Sequence, residues 1–277
     1  MKENRKSLTM QEIQRVSLEV LKRITDIMDR EGFNYILAYG TLIGAIRHKG
    51  FIPWDDDIDI MMLRPDYEMF LEYAKSHKEE LGYLEVYNMD TNPDYPHMIT
   101  RVSDSRYEIN VTNERNCGLG IFVDIYPMDG IGNTIEDGER LLRTTCKYPS
   151  MIFLSTRKYY HFGNTKGWLK RLIKIPAFIF THIMGKMFFV KRLNKILETL
   201  DIDSSKYVGC AAWTISSEID AFEKAWFNDR IKWQFDKYEF YVPREYDKML
   251  RITYGDYMKL PPEEDRIYHH LYLAYKK

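Results

Sequence analysis

Residues 57–63, DIDIMML, alternate polar and apolar side chains, and that alternation constrains the chain more than any other stretch. Period two is the period of a β-strand. It puts Asp57 and Asp59 on one face and turns Ile58 and Ile60 into a core. Aspartate is depleted in strands, and burying an unpaired carboxylate is costly. Two acids on one strand face stand roughly 7 Å apart at their Cα atoms and repel each other unless a cation or a proton lies between them. The fold must therefore lay this strand along a site that can hold positive charge. Oxygen ligands of this hardness suit Mg²⁺, with Mn²⁺ as the second choice. An inert acidic turn would account for Asp55 and Asp56, just after Pro53, but not for Asp57 and Asp59 among Ile58, Ile60, Met61 and Met62. A calcium loop starting at Asp55 fails because it needs glycine where Ile60 stands.

A metal needs further ligands. The run IFVDIYPMDG (121–130) sets Asp124 between Val123 and Ile125, so a third carboxylate is expected from an adjacent strand, while Asp129 before Gly130 reads as a turn residue. Upstream, Gly40 and Thr41 join a predicted strand (33–39) to a short predicted helix (41–47), and backbone N–H groups at such a junction suit phosphate oxygens. Arg47, His48 and Lys49 add positive charge just before the acids. Phosphate-binding groups beside paired carboxylates point to metal-assisted phosphoryl transfer.

The remaining pattern predicts an α+β chain. A helix over 9–31 opens on the capping box Thr9–Glu12 and stops at Gly32. A second helix is expected over 65–81, with strands at 83–87, 98–102, 106–111 and 119–126. Three domains of function follow: 1–139 as the catalytic core, 140–200 as a basic amphipathic helical segment, and 201–277 as a helical C-terminal part that completes the cleft. Cys117, Cys146 and Cys210 have neither zinc spacing nor even number, which fits a reducing cytoplasm. Neither a secretory leader nor a transmembrane run is expected.

The net charge of −1 conceals a segregation. Between Arg140 and Leu197 there are thirteen Lys and Arg and no acid, which leaves the rest of the chain with 27 basic and 41 acidic residues. A block of this kind points to an anionic partner. Around the apolar middle of 168–197, two readings stand: a pair of core helices with a solvated basic face, or a surface that lies on an anionic membrane. No nucleic-acid partner is expected.

The stretch YGTLIGAIRHKGFIPWDDDIDIMMLRPDYEMF (39–70) closely resembles the signature of the LicD family of phosphocholine transferases and, more distantly, fukutin-related ribitol-phosphate transferases. The similarity continues through IFVDIYPMDG and YGDYMKLPP (254–262) and is weak over 140–240. The resemblance implies a nucleotidyltransferase-type fold: a mixed sheet flanked by helices, with Gly40-Thr41 as the turn, Asp57 and Asp59 as the paired acids and Asp124 as the third. Asp57, Asp59 and Asp124 would be catalytic and hold Mg²⁺. It implies transfer of a phosphorylated alcohol, phosphocholine first, from a CDP-activated donor to a glycan hydroxyl of lipopolysaccharide or teichoic-acid type, with CMP released. The acceptor would be lipid-linked, and the protein cytoplasmic and peripheral on the inner membrane face. Gly40, Thr41, Arg47, His48, Trp54, Asp55 and Asp56 fall on the substrate side. His48 either contacts the diphosphate or is a loop residue, and Trp54 either stacks on the base or packs. Asp55 and Asp56 position the loop or hold waters. His269 and His270 either close the site or pack. The competing expectations are a true nucleotidyltransferase that releases pyrophosphate and a non-catalytic membrane module with a structural cation.

Overall fold

The computed structural model describes residues 6–161, 168–213, 220–266 and 272–277. Helix α1 (Met10–Glu31) begins as its sequence dictates. The Thr9 hydroxyl accepts from the Glu12 N–H (3.3 Å), the Glu12 carboxylate accepts from the Thr9 N–H (2.7 Å), and Gly32 ends the helix in the left-handed region at φ 77°. Its buried side, with Val20, Leu21 and Ile24, lies against the sheet. Strand β1 (Ile36–Leu37) is shorter than the predicted 33–39, because Tyr39 turns to φ 45° and opens α2 (Tyr39–Ile43). A π-helical turn, Gly44–His48, continues it. A Cβ on Gly44 would stand 2.4 Å from the Gly50 carbonyl oxygen, so only glycine lets the two segments close.

Strand β2 (Asp59–Leu63) follows, with every residue buried. Helix α3 (Arg64–Ser76) starts on Pro65 and buries Tyr67, Phe70 and Ala74. The single helix expected over 65–81 is broken at His77, whose backbone leaves helical geometry before α4 (Lys78–Leu81). Then come β3 (Leu84–Tyr87), β4 (Thr100–Asp104), β5 (Tyr107–Val111) and the twelve-residue β6 (Ile121–Gly132). The basic segment forms α5 (Ile135–Thr145), α6 (Lys147–Thr156), α7 (Trp168–Met184) and α8 (Lys186–Leu197). The last third holds β7 (Tyr207–Gly209), β8 (Phe222–Glu223), the hairpin β9 (Arg230–Phe235) and β10 (Tyr238–Pro243), α9 (Tyr246–Tyr254) and β11 (Tyr272–Lys276). Where a helical tail was expected, the described residues of the last third form one nine-residue α-helix among five short strands, because Val, Phe, Tyr and Trp between Arg230 and Pro243 favour the paired hairpin.

The main sheet runs β1-β2-β6-β4-β3, with β7 and β8 continuing from the far half of β6. Among the described residues the β2–β6 pair alone is parallel and the other pairs of this sheet are antiparallel, so the class is α+β with a mixed sheet. Both central strands are covered on both faces and read as near-continuous apolar runs. Ile58 and Ile60 are fully buried, as the alternation requires. The hairpin packs behind the π-turn, where Trp233 donates its ring N–H to the Ala45 carbonyl (3.1 Å) and Phe235 meets Phe51. This packing stiffens the segment that faces the acids. Asp129 is not in a turn. It lies inside β6, buried, and accepts two hydrogen bonds from Arg64 at 2.7 and 2.9 Å.

Candidate active site

The parallel register sets Asp59 of β2 directly beside Asp124 of β6. The junction is pinned by two bonds: the Asp124 N–H donates to the Ile58 carbonyl (2.8 Å), and the Asp59 N–H donates to the Thr41 hydroxyl (2.9 Å). Thr41 therefore fixes the start of β2, a role that a hydroxyl at this position serves without touching a substrate. Gly40 stands against Asp55, since a Cβ there would lie 2.6 Å from the Asp55 carboxylate. The loop itself is held from α1, where the Gln14 side-chain amide donates to the Asp55 carbonyl at 2.7 Å.

The acids gather in a way the strand pattern alone does not show. One carboxylate oxygen from each of Asp55, Asp56 and Asp57 lies within 4.8 Å of the others. Asp59 and Asp124 flank this triplet from the sheet. Burial, and then the negative charge of Asp57, Asp124 and Asp55, hold the Asp59 carboxyl well above the usual carboxylate range; Arg101 pulls the other way. Asp59 Oδ1 is buried and accepts no hydrogen bond among the described residues. Arg101, on β4 opposite Asp124, donates to it from Nε (2.6 Å) and Nη2 (3.3 Å) and lies over the Phe122 ring. Among the described residues, Arg101 grips the group at Asp124. A buried oxygen lacking a donor, like charges in close approach and an all-oxygen donor set fit a hard divalent cation.

Three phenols surround the acids. Tyr39 and Tyr126 meet edge to face at 5.0 Å, and Tyr254 at the end of α9 senses Asp59, Asp220, Asp55 and Asp57. Burial and then Asp59 and Asp124 push the Tyr126 phenol up, burial and then Cys210, Asp220 and Asp59 that of Tyr39, and desolvation by the surrounding protein and then Asp59 and Asp220 that of the partly exposed Tyr254, so all three remain O–H donors. Asp220 joins from the far side, taking the Thr253 hydroxyl at 2.9 Å. Sequence reasoning missed Asp220 and the three tyrosines as site residues. Asp220 carries no local signal, whereas Tyr39, Tyr126 and Tyr254 sit inside the three stretches that carry the resemblance.

On the loop's other side lies a cationic group. Arg47 donates to the Tyr257 carbonyl (2.5 Å) and to His48 Nε2 (2.9 Å), and the Arg266 guanidinium lies 5.7 Å from the centre of the Trp54 ring. Burial and then the charge of Arg266 lower the Arg47 pKa, and burial and then Arg47 lower that of His48. Cations that destabilise one another in this way suit an anionic ligand. Trp54 is half-buried, edge to face with His48, and packed against the main core as well. His269 and His270 lie outside the described residues.

Behind Arg101 a cavity of about 620 Å³ opens, with His97, Phe122, Phe153, Trp213 and Tyr272 in its walls. Phe122, Asp124 and Tyr126 share one face of β6 by alternation, so the cavity and the acids lie side by side. Burial keeps His97 neutral, its pKa well below the usual value.

A strand-borne carboxylate cluster beside cationic side chains is the kind of site that nucleotidyl- and phosphoryl-transfer enzymes use. Residues 32–165 match the family described as LicD/FKTN/FKRP, nucleotidyltransferase domain. The chain is 34% identical over 279 aligned positions to the lipopolysaccharide cholinephosphotransferase LicD of Haemophilus influenzae (strain Rd), covering 98% of this chain and 99% of that protein. It is also 35% identical over 74 residues to an uncharacterized protein of Rickettsia prowazekii (strain Madrid E), 27% of each chain. This chain belongs to the LicD family.

Proposed function

We propose that this protein transfers phosphocholine from CDP-choline to a hydroxyl of a cell-surface glycan of lipopolysaccharide or teichoic-acid type, releasing CMP. The observation that carries the reading is the buried Asp59, lacking a hydrogen-bond donor at Oδ1 and crowded by Asp57 and Asp124. A full-length relative named for cholinephosphate transfer supports the choice of alcohol.

Mg²⁺ would be held by Asp57, Asp59 and Asp124, with Asp55 and Asp56 close enough to contribute oxygens or order its waters. When bound, the ion neutralises charge on the donor's diphosphate and on the departing CMP. The chain's own groups do the rest. Arg47 and Arg266 hold the diphosphate, Trp54 borders the nucleotide, and Tyr39, Tyr126 and Tyr254 donate O–H groups to phosphate oxygens. The glycan oxygen forms the new bond to the phosphorus bearing choline, the bond to CMP breaks, and the hydroxyl proton passes to a carboxylate. The acceptor is lipid-linked, and the enzyme works at the inner membrane face; no helix among the described residues is long and apolar enough to cross a membrane.

The test is incubation with CDP-choline, a glycan acceptor and Mg²⁺, following CMP and choline on the glycan. CMP with choline incorporation is expected, abolished by chelation. Pyrophosphate released from CTP, with CDP-choline left intact, would replace this reading with nucleotidyl transfer.

A further inference from the structure

The basic segment supplies no side chain to the chemistry above. Its helices pack on each other around Ile152, Phe189, Val190 and Leu193, so these two helical layers have a core of their own. That core leaves a second apolar set outside. Ile183 is 77% exposed, Ile179 53%, Met187 51% and Phe180 48%. Soluble surfaces scatter such residues singly, whereas here they are consecutive in space. Positions 179, 180 and 183 share one face of α7. The chain then turns at Gly185, in the left-handed region at φ 70°, and Met187 opens α8.

Along α8 the same stripe changes character. Met187, Lys191 and Lys195 follow at i, i+4 and i+8, all exposed, with Arg192 beside them stacked over the Phe188 ring. Lys174 is exposed one turn before Phe178 on α7. Lys186 differs from these: its ammonium is turned inward to the Pro93 and Tyr95 carbonyls. The acid it senses, Asp94, is bridged by Arg115. The surface therefore presents an apolar tip with cations set back from it and no acid anywhere between Arg140 and Leu197.

We infer that the α7–α8 hairpin docks on an anionic lipid bilayer, with Ile179, Phe180, Ile183 and Met187 seated among the acyl chains and Lys191, Arg192 and Lys195 at the headgroup phosphates. The order of groups is that of an interfacial helix, apolar inward and basic at the polar boundary. Helix α7 spans seventeen residues with Pro176 inside it, and no described helix meets the length and apolarity for crossing, so the hairpin lies on the membrane. The α6 and α7 residues Ile152, Phe153 and Lys174 also line the cavity behind Arg101. Docking thus brings that cavity to the headgroup level, where a lipid-linked acceptor would present its sugar. The docking itself does not depend on which alcohol is transferred.

The test is sedimentation of the full chain with vesicles of phosphatidylglycerol mixed with phosphatidylcholine, against phosphatidylcholine alone. Binding to the anionic vesicles alone is expected, weakening as salt rises. Ile183→Ser with Met187→Ser should lower it about tenfold or more, and each of Lys191→Gln and Lys195→Gln about fivefold at low salt. Tryptophan at position 183 (I183W) should shift to the blue on binding and be quenched by brominated acyl chains. Transfer to a soluble glycan should keep its basal rate in the serine variant, so failure of docking and failure of the phosphocholine reading are seen separately. Absent binding, binding unchanged in the serine variant, or an unquenched tryptophan would overturn the inference. So would a dimer in sedimentation velocity that dissociates in the serine variant, since the apolar tip would then be covered by a second copy.

Discussion

Two aspartates on one strand make the most instructive comparison in the molecule. Asp124 and Asp129 both lie on β6, both are buried, and both take a two-point contact from an arginine. Around Asp129 the charges balance: one guanidinium, Arg64, meets one carboxylate, and across the strand lies Gly209. Around Asp124 carboxylates crowd: Asp59 stands alongside, and Asp57 and Asp55 add to the repulsion on Asp59. Same residue, same strand and same type of partner yield a structural tie at one end and a candidate catalytic centre at the other. The distinguishing feature is the crowding of carboxylates. Like charges gathered in this way mark a candidate functional site.

If that contrast is right, the two ends must fail in opposite ways. The largest effect belongs to Asp59→Asn. Phosphocholine transfer should fall about a thousandfold or more, about 4 kcal/mol of barrier. The melting temperature without metal should hold or rise, because a repelling carboxylate is gone; a folded, fully active variant would break the comparison. Asp129→Ala should do the reverse and cost about 3 kcal/mol of stability in a urea melt, since a largely buried guanidinium loses its partner. Turnover per folded molecule should not change. Arg101→Lys and Arg64→Lys sharpen the pair further. Each keeps the charge and loses the fork, for about 1–2 kcal/mol of stability, but only the lysine at 101 should also lower transfer, about tenfold. Equal kinetic losses in both would show that the two ends are not functionally distinct.

The smallest effect is a slope. Because the Asp59 carboxyl is raised above its unfolded value, the folded chain binds more protons than the unfolded one across that interval. Stability without metal should therefore fall as pH rises from the ordinary carboxylate range toward the raised value, by at most about 1.4 kcal/mol per pH unit. Asp59→Asn should flatten the slope, as should saturating Mg²⁺. Melting temperature against pH in chelator checks the sign.

Much of the site was legible because its signals are local. Alternation over 57–63 placed Ile58 and Ile60 in the core and left Asp59 on the opposite face, and an acid inside an apolar run marked Asp124. The strand itself begins two residues later than the alternation suggests, at Asp59, so Asp57 sits in the loop end with Asp55 and Asp56. What was not legible depends on register and long-range packing. Arg101 reaches Asp124 only because β4 pairs antiparallel with β6, and no spacing in the sequence encodes that meeting. Asp129 was misread for a related reason. Gly130 beside it looks like turn chemistry, yet a Cβ there would stand 2.5 Å from the Asp201 carbonyl. The glycine admits a neighbouring backbone to a straight strand, a role a turn-based reading does not anticipate.

The parallel pairing of β2 with β6 also bears on how the chain reaches its native state. Asp59 and Asp124 belong to segments separated by a helix pair and three strands, so they meet only when that long loop closes. Closure of distant segments is entropically slow, and here it brings like charges side by side. The same carboxylates that serve the mature site therefore oppose its assembly. Acidic solution, by neutralising them, should let β2 dock on β6 faster than neutral solution does, even though the neutral protein is the one equipped to act.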